Sequence, residues 1–396
     1  MARAFRIGMI GGGLDSATGE RHRKAIAMTG RIEWVCGAFG STRHHSYQTG
    51  AAWKVPTEHV FGTYRDLFRR VPRMPASKRL DFVTVIVPNY MHYPIAMAAF
   101  DVEMPVFCCA PMTTNMDEAL NLERKRNDHG LAYGLALPYT AFPMVIQARA
   151  LVQAGALGTL RKVVTVFPQG WLATRLETAG NKQAGWRTDP RRGGPSCCMA
   201  DLGIHCSTLA EFVSGQSITE VCADLRTFVA GRPLDDDGSV LLRFDKGAHG
   251  AIWASQVCIG QDASLRIMVW GDKGGLEWRL SHPDELRFTP LNKPTQILST
   301  ESSDLVDEAR TALRFPRDPA DPLLAPLALH YDAFADSVAN SKKTALPACP
   351  TTADGIRAMT FLDAVLRNTH PESTEKWTAL GAPAPSRPPP QRGSFS

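Results

Sequence analysis

A short apolar run that ends in glycines and feeds a helix-forming segment leaves few folds open to the first third of this chain. Arg6-Ile7-Gly8-Met9-Ile10 leads into Gly11-Gly12-Gly13, and a further glycine, Gly19, precedes a helical stretch over 21–28. Glycines at such a turn let the backbone approach a pyrophosphate. The helix behind them offers free N–H donors and the positive end of its dipole. Gly11 and Gly13 keep dinucleotide spacing, whereas Gly19 comes late, so the loop is about three residues longer than the fingerprint requires. Strand patterns follow over 32–38, 81–87, 105–108 and 131–135, with helices over 64–68, 93–100 and 116–128. This alternation predicts an α/β, doubly wound parallel sheet of the Rossmann type over residues 1–138.

In an open parallel sheet, ligands lie beyond the carboxyl ends of the strands. Pro88, Asn89 and His92, after the third strand, therefore fall where a nicotinamide would pass. An NAD enzyme often carries an acid after its second strand to hold the ribose hydroxyls. This chain has Phe39-Gly40-Ser41-Thr42-Arg43 there instead. Ser41 and Arg43 could receive a 2′-phosphate, so the cofactor is read as NAD or NADP, with a lean to NADP.

After Pro138 the pattern changes. A helix over 143–154, a strand over 162–169 and a polar stretch to Gly194 precede a helix over 201–213. Strands then dominate (221–229, 239–244, 250–257, 265–270, 275–279, 285–288), several joined by tight turns such as Asp245-Lys246-Gly247. This predicts an α+β domain over 139–380 built on a mostly antiparallel open-faced sheet. One face packs on helices and the other is free for a partner subunit. The stretch 295–323 reads as irregular. Helices over 326–338 and 353–368 pack back near the first domain, and the proline-rich stretch 381–396 reads as a disordered tail.

Asp201 and His205 stand four residues apart at the start of the 201–213 helix. Asp201 suits an N-cap, and one turn later His205 shares its face. A carboxylate beside an imidazole can orient the ring and raise its basicity, a proton-handling pair. The plainer alternative is a cap with an unrelated histidine.

The formal charge of +5 is spread over 396 residues. No basic stripe interleaved with aromatics speaks for nucleic acid, and no apolar run approaches a membrane span. The chain enters its first strand without a signal-like segment, and its nine cysteines are an odd number. A reduced, cytoplasmic protein is the expectation. The vicinal pairs Cys108-Cys109 and Cys197-Cys198 lack zinc-knuckle spacing, so no metal is expected. A thiol or metal site joining them with His205 is the weakest alternative.

Several short segments, in this order, resemble the glucose–fructose oxidoreductase/inositol dehydrogenase (Gfo/Idh/MocA) family. They are the Gly11/Gly13/Gly19 loop with His22, Pro88-Asn89 with His92, the turn from Cys108 to Pro111, Trp186-Arg187-Thr188-Asp189-Pro190, and Asp201-Leu202-Gly203-Ile204-His205. The resemblance runs to about residue 370 as judged by element order. It implies an NAD(P)-dependent oxidoreductase moving hydride between a secondary alcohol of a sugar, inositol or related polyol and the nicotinamide. His205 would be the acid/base and Asp201 its orienter, in a homodimer or homotetramer formed through the second sheet. His22 and Pro111 join the cofactor-binding set. Tyr139, Gln169, Trp171, Arg187 and Asp189 are the polar and aromatic candidates for the substrate.

One departure outweighs the matches. The family's turn reads Glu (or Asp)-Lys-Pro, and here it reads Cys109-Ala110-Pro111. By resemblance, the lysine sits beside the reacting carbon, hydrogen-bonds the alcohol and tunes the proton transfer, none of which the methyl group of Ala110 can do. Three readings fit: a Lys→Ala variant made to trap an unreacted complex, a natural member in which His205 and Asp201 carry the proton alone, and a cofactor-binding homologue without redox activity. Some relatives instead oxidise a glycoside, eliminate the aglycone and reduce back, which makes an NAD-dependent glycosidase without net redox change the main alternative.

Overall fold

The computed structural model describes residues 3–262, 264–339 and 349–381. From residue 382 onward, the stretch read as a disordered tail lies outside the described residues.

Five strands form the first sheet: β1 (Phe5–Gly11), β2 (Ile32–Ala38), β3 (Phe82–Ile86), β4 (Val106–Cys109) and β5 (Tyr133–Ala136). Their order is β2-β1-β3-β4-β5, and every pair is parallel. Val60 adds a single parallel bridge to Gly37 on the outer edge of β2, where a further strand of a doubly wound sheet would lie. The strand order reverses between β1 and β3, so the crevice above their carboxyl ends is the expected ligand position. These strands are apolar on both sides because helices cover both faces. Ile7, Phe82, Val83, Val106 and Phe107 have no exposed surface.

The helix after β1 runs Ala17–Met28, four residues longer at its start than the apolar pattern suggests. Ser16 explains this: its side chain accepts from the Gly19 N–H at 3.0 Å and caps the first turn. A second helix, Arg43–Ala52, follows β2 where the sequence carries no apolar pattern. Thr42 caps it, and it buries only Ser46, Thr49 and Gly50.

Nine strands form the second sheet: β6 (Leu160–Pro168), β7 (Ile218–Arg226), β8 (Asp237–Phe244), β9 (His249–Ser255), β10 (Arg266–Gly271), β11 (Gly274–Arg279), β12 (Glu285–Pro290), β13 (Gln296–Ser299) and β14 (Thr378–Ala379). The order is β13-β12-β11-β10-β6-β9-β8-β7-β14. All neighbours are antiparallel except β6 and β9. β13 lies within the stretch read as irregular, which also holds the short helix Asp307–Thr311. One sheet face buries Val163, Val240, Leu242, Ile252, Ile267 and Val269 against helices. The other carries Val164, Leu241, Trp253, Met268 and Trp270, of which Leu241 is 50% and Trp270 42% exposed.

The helix Leu324–Val338 packs on Ala17–Met28, although it follows the second sheet in sequence. Its Asp332 is fully buried and is matched by Arg31 and Arg314, whose guanidinium groups reach it from two other segments. Tyr331 of the same helix stacks on Phe107 of β4 at 4.2 Å. The chain's last helices thus knit the two sheets together beneath the crevice.

Candidate active site

A cavity of about 690 Å³ opens above the carboxyl ends of β1 and β3, within the range of ligand sites. One wall is the glycine loop. Gly11 has φ +82° there, and a Cβ on Gly19 would meet the Gly12 carbonyl oxygen at 2.2 Å. Gly19 therefore lies inside the first turn of the helix, pressed against Gly12, and the extra loop residues are taken up by the turn before Ser16. Gly11 and Gly13 line the cavity, while Gly19 supports it from behind.

Phe39, Gly40, Ser41 and His45 line the end beyond β2. Arg43 is not in this wall, because its guanidinium is turned to Asp66 at 2.9 Å. Pro88, Asn89 and His92 line the other end with Cys109 and Ala110. Asn89 donates to the Gly193 carbonyl at 2.9 Å, tying the first domain to the 190–193 turn. His92 is buried with its ring nitrogens against the carbonyls of Pro111 and Val87, at 2.7 and 2.9 Å. It fixes the turn that carries Ala110, and Pro111 lies behind that turn.

His22 is also buried and outside the wall. Its Nδ1 lies 2.6 Å from the Tyr331 hydroxyl, which is 2.6 Å from Thr84 Oγ1, and its Nε2 is 3.4 Å from Cys109 Sγ. Burial pulls its imidazole down to about 3 and pushes the Cys109 thiol up to about 12. The two are a neutral pair holding the end of β4, and His22 stands outside the cavity lining.

The facing wall comes from the second domain. Gly180, Asn181, Lys182, Gln183, Trp186, Arg187, Arg192 and Asp201 belong to it. Lys182 reaches across to pair with Asp15 beside the glycine loop. This bridge, Gln183 and His45 were not foreseen, since nothing in a short polar loop marks it as a cleft wall.

Asp201 does not cap a helix. The turn Met199–Gly203 is a π-turn running into the helix Ile204–Ser214, a feature common at functional sites. Its opening donors are satisfied from elsewhere. The buried Asp235 accepts from the N–H groups of Cys197 and Met199 at 3.0 and 2.9 Å and from Ser196 Oγ at 3.0 Å. Asp201 is left free to reach sideways. Arg187 Nε lies 3.2 Å from both of its oxygens, and Gln256 Nε2 donates to it at 2.9 Å. Asp201 thus makes no hydrogen bond to His205 and acts on it only through space.

His205 is half-buried, with its ring edge-on to Tyr139 at 5.0 Å. Neither ring nitrogen has a hydrogen-bond partner among the described residues. Burial draws the imidazole down to about 4, opposed by the charge of Asp201. At neutral pH it is an unprotonated ring with a free lone pair. Tyr139 is buried between His205 and Phe167. Gln169 and Trp171 are half-buried nearby in sequence, and Trp171 lies 5.6 Å from the Arg187 guanidinium. Asp189 pairs with Arg191 rather than Arg187 and caps the 190–193 turn. Ala110, Asn89, Arg187 and Asp201 therefore share one cavity, whereas Tyr139, Gln169, Trp171, Asp189 and His205 lie outside its lining.

All nine cysteines are free thiols. Among the described residues no group of three His, Cys, Asp or Glu could hold a metal ion, and no helix is long and apolar enough to cross a membrane.

The glycine loop, the reversal of strand order and the cavity fit a dinucleotide. Comparison with known proteins agrees. An oxidoreductase-family model with an NAD-binding Rossmann fold matches residues 5–136, and a GFO/IDH/MocA C-terminal domain model matches residues 145–277. The uncharacterized oxidoreductase YfiI of Bacillus subtilis (strain 168) is 28% identical over 301 residues, 75% of this chain and 76% of its own. The trans-1,2-dihydrobenzene-1,2-diol dehydrogenase of Bos taurus is 31% identical over 272 residues, 68% of this chain and 73% of its own. The structure of an inositol dehydrogenase homolog complexed with NAD+ from Azotobacter vinelandii superposes with a TM-score of 0.88 at 26% identity, covering 96% of this chain and 98% of that one. With both halves matched in order, this chain belongs to the Gfo/Idh/MocA family of oxidoreductases.

Proposed function

We propose that this protein is an NAD(P)-dependent dehydrogenase acting on a secondary alcohol of a sugar, inositol or related polyol. The observation that carries the reading is the single cavity joining the glycine loop to the polar wall of Asn89, Arg187 and Asp201. The names of two relatives point the same way, since inositol and the trans-dihydrodiol both bear neighbouring hydroxyls.

Gly11, Gly12 and Gly13 would hold the pyrophosphate, with Ser41 and His45 at the adenosine ribose and Pro88, Asn89 and His92 framing the nicotinamide. With Ser41 and no carboxylate at the end beyond β2, NADP is favoured over NAD. When bound, the nicotinamide supplies the hydride acceptor. His205 takes the hydroxyl proton, its neutral ring being the competent form. Asp201 stabilises the imidazolium that results, through space. Asn89, Arg187 and Asp201 line the substrate end, and Tyr139 backs His205.

Ala110 leaves the chain without the lysine of its family's turn. A positioned acid–base group contributes about 10²–10⁴-fold, so turnover is slow rather than absent. The exposed strip of Leu241, Trp253 and Trp270 on the second sheet is the surface for a homodimer or homotetramer. Nine free thiols suit the reducing cytoplasm.

The test is an assay of the protein and its Ala110→Lys variant with NAD and NADP against sugars, inositols and glycosides, following reduced nicotinamide and identifying products. Stoichiometric reduced cofactor with a keto-polyol is the expected result, faster in the variant. Sugar release from a glycoside with the cofactor unconsumed would replace this reading by the glycosidase. Cofactor binding without turnover in either protein would leave a non-catalytic homologue.

A further inference from the structure

We propose that Arg187 supplies, from the opposite wall of the cleft, the cationic hydrogen-bond donor on the reacting oxygen that position 110 lacks. The inference rests on the dehydrogenase reading above and adds one catalytic residue to it.

A methyl side chain at 110 leaves that part of the wall without a charged donor: its neighbour Cys109 is a neutral thiol paired with His22. A developing alkoxide in the cleft still needs a fixed donor, since such stabilisation is often the largest single contribution to rate. Arg187 lines the same cavity as Ala110 and Asn89, with its side chain only 18% exposed.

The guanidinium is held on three sides. Nε faces both oxygens of Asp201 at 3.2 Å, and Nη1 donates to Gln183 Oε1 at 2.8 Å. The Trp186 ring covers it with Cζ 4.2 Å from the ring centroid. Of its N–H groups, those on Nη2 have no partner among the described residues. A cation so fixed, with one edge unspent and standing in the wall of a ligand-sized cavity, is preorganised to donate. Its charge also reaches the inner wall, where it acts against the burial that raises the Cys109 thiol.

The choice of arginine divides the labour. Guanidinium stays protonated throughout the accessible pH range, so it cannot take the alcohol proton. A nicotinamide cofactor held over Gly11, Gly12 and Gly13 would supply the two-electron acceptor for the carbinol hydrogen. The O–H proton goes to His205 and the C=O bond forms. Arg187 donates to that oxygen throughout and is unchanged at the end. Asp201 then has two tasks, aiming Arg187 directly and steadying His205 through space, which explains why it is bonded to one and not the other.

The experiment compares the wild type with Arg187→Ala, Arg187→Lys and Arg187→Ala/Ala110→Lys on a panel of sugars and inositols with both cofactors. It also measures inositol affinity by calorimetry in the presence of reduced cofactor, which does not turn over. Arg187→Ala should lose about 10²-fold in kcat, the scale of one oxyanion donor, with affinity changed less than about threefold. Guanidinium chloride in the low millimolar range should restore at least tenfold of kcat with saturation, and Ala110→Lys should restore activity in the double variant. Arg187→Lys should fall between. A kcat for Arg187→Ala within about threefold of wild type overturns the inference while the dehydrogenase reading stands. So does a loss that neither guanidinium nor either lysine variant relieves, which would mark Arg187 as structural. Absence of turnover in the wild type, with either cofactor across the panel, removes the dehydrogenase reading and this inference with it.

Discussion

His205 owes its usefulness to being uncharged. Burial lowers its imidazole to about 4, and the nearby Asp201 charge only partly offsets this. In its proposed role as base it must be neutral, so kcat/KM for oxidation should rise with pH through about 4 and be level by pH 6. The reverse reduction needs the protonated ring and should have the opposite slope. His205→Asn should lower kcat by about 10²-fold or more while affinity for cofactor, measured by fluorescence quenching, stays. An acid limb near 6.5, or an unchanged kcat in the variant, would remove this role. Asp201 and His205 stay close enough for the carboxylate's charge to act on the ring, as their spacing of four suggests. The actual bonds of Asp201 are not legible in the sequence. Its partners Arg187 and Gln256 lie 14 and 55 residues away, and no local pattern specifies which donor a carboxylate meets across a cleft. His22 misled for a related reason: it is adjacent to the fingerprint in sequence, but its ring points under the sheet to Tyr331.

At the level of elements, the π-turn Met199–Gly203 sets the polar wall, and Asp235 sets the π-turn. Asp235 accepts from two backbone N–H groups and from Ser196 Oγ in a buried position. Asp235→Ala strands those donors, at a cost of about 1–3 kcal/mol for each unsatisfied group. The urea midpoint should drop, with the surviving folded protein impaired in turnover because Asp201 is no longer aimed. A variant as stable and as active as wild type would contradict this. The strands and long helices were legible wherever an apolar pattern of period two or 3.6 carried them. The helix Arg43–Ala52 was not, since it buries only small and polar residues. Nor was β13, an edge strand with Gln296 and Ile297 exposed. Asp235 lies in an acidic run that reads as solvated surface, and only the folded chain shows it under the turn.

The molecule as a whole buries several histidines in neutral form. His22 and His330 are both brought down to about 3 by burial, against an unfolded value near 6.5. Between those values the unfolded chain binds protons that the folded chain does not. Stability is therefore full above about pH 6.5 and lost as pH falls, by about 1.4 kcal/mol per pH unit for each ring. Thermal scans should show Tm falling steeply from pH 6.5 to 4.5, less so in His330→Phe, and a flat Tm over that window would contradict the burial. The two-sheet architecture was legible from the change of pattern after Pro138. The return of Leu324–Val338 onto the first domain shows in sequence only as an apolar helix without an address, because helix docking is decided by tertiary packing.

Hydride transfer is the central claim, and isotope tracing tests it most directly. An inositol carrying deuterium on its carbinol carbons is incubated with the protein and stoichiometric oxidised cofactor, and the cofactor is recovered for mass spectrometry. Deuterium on the reduced nicotinamide is the predicted result. Substrate conversion with no label in the cofactor contradicts it.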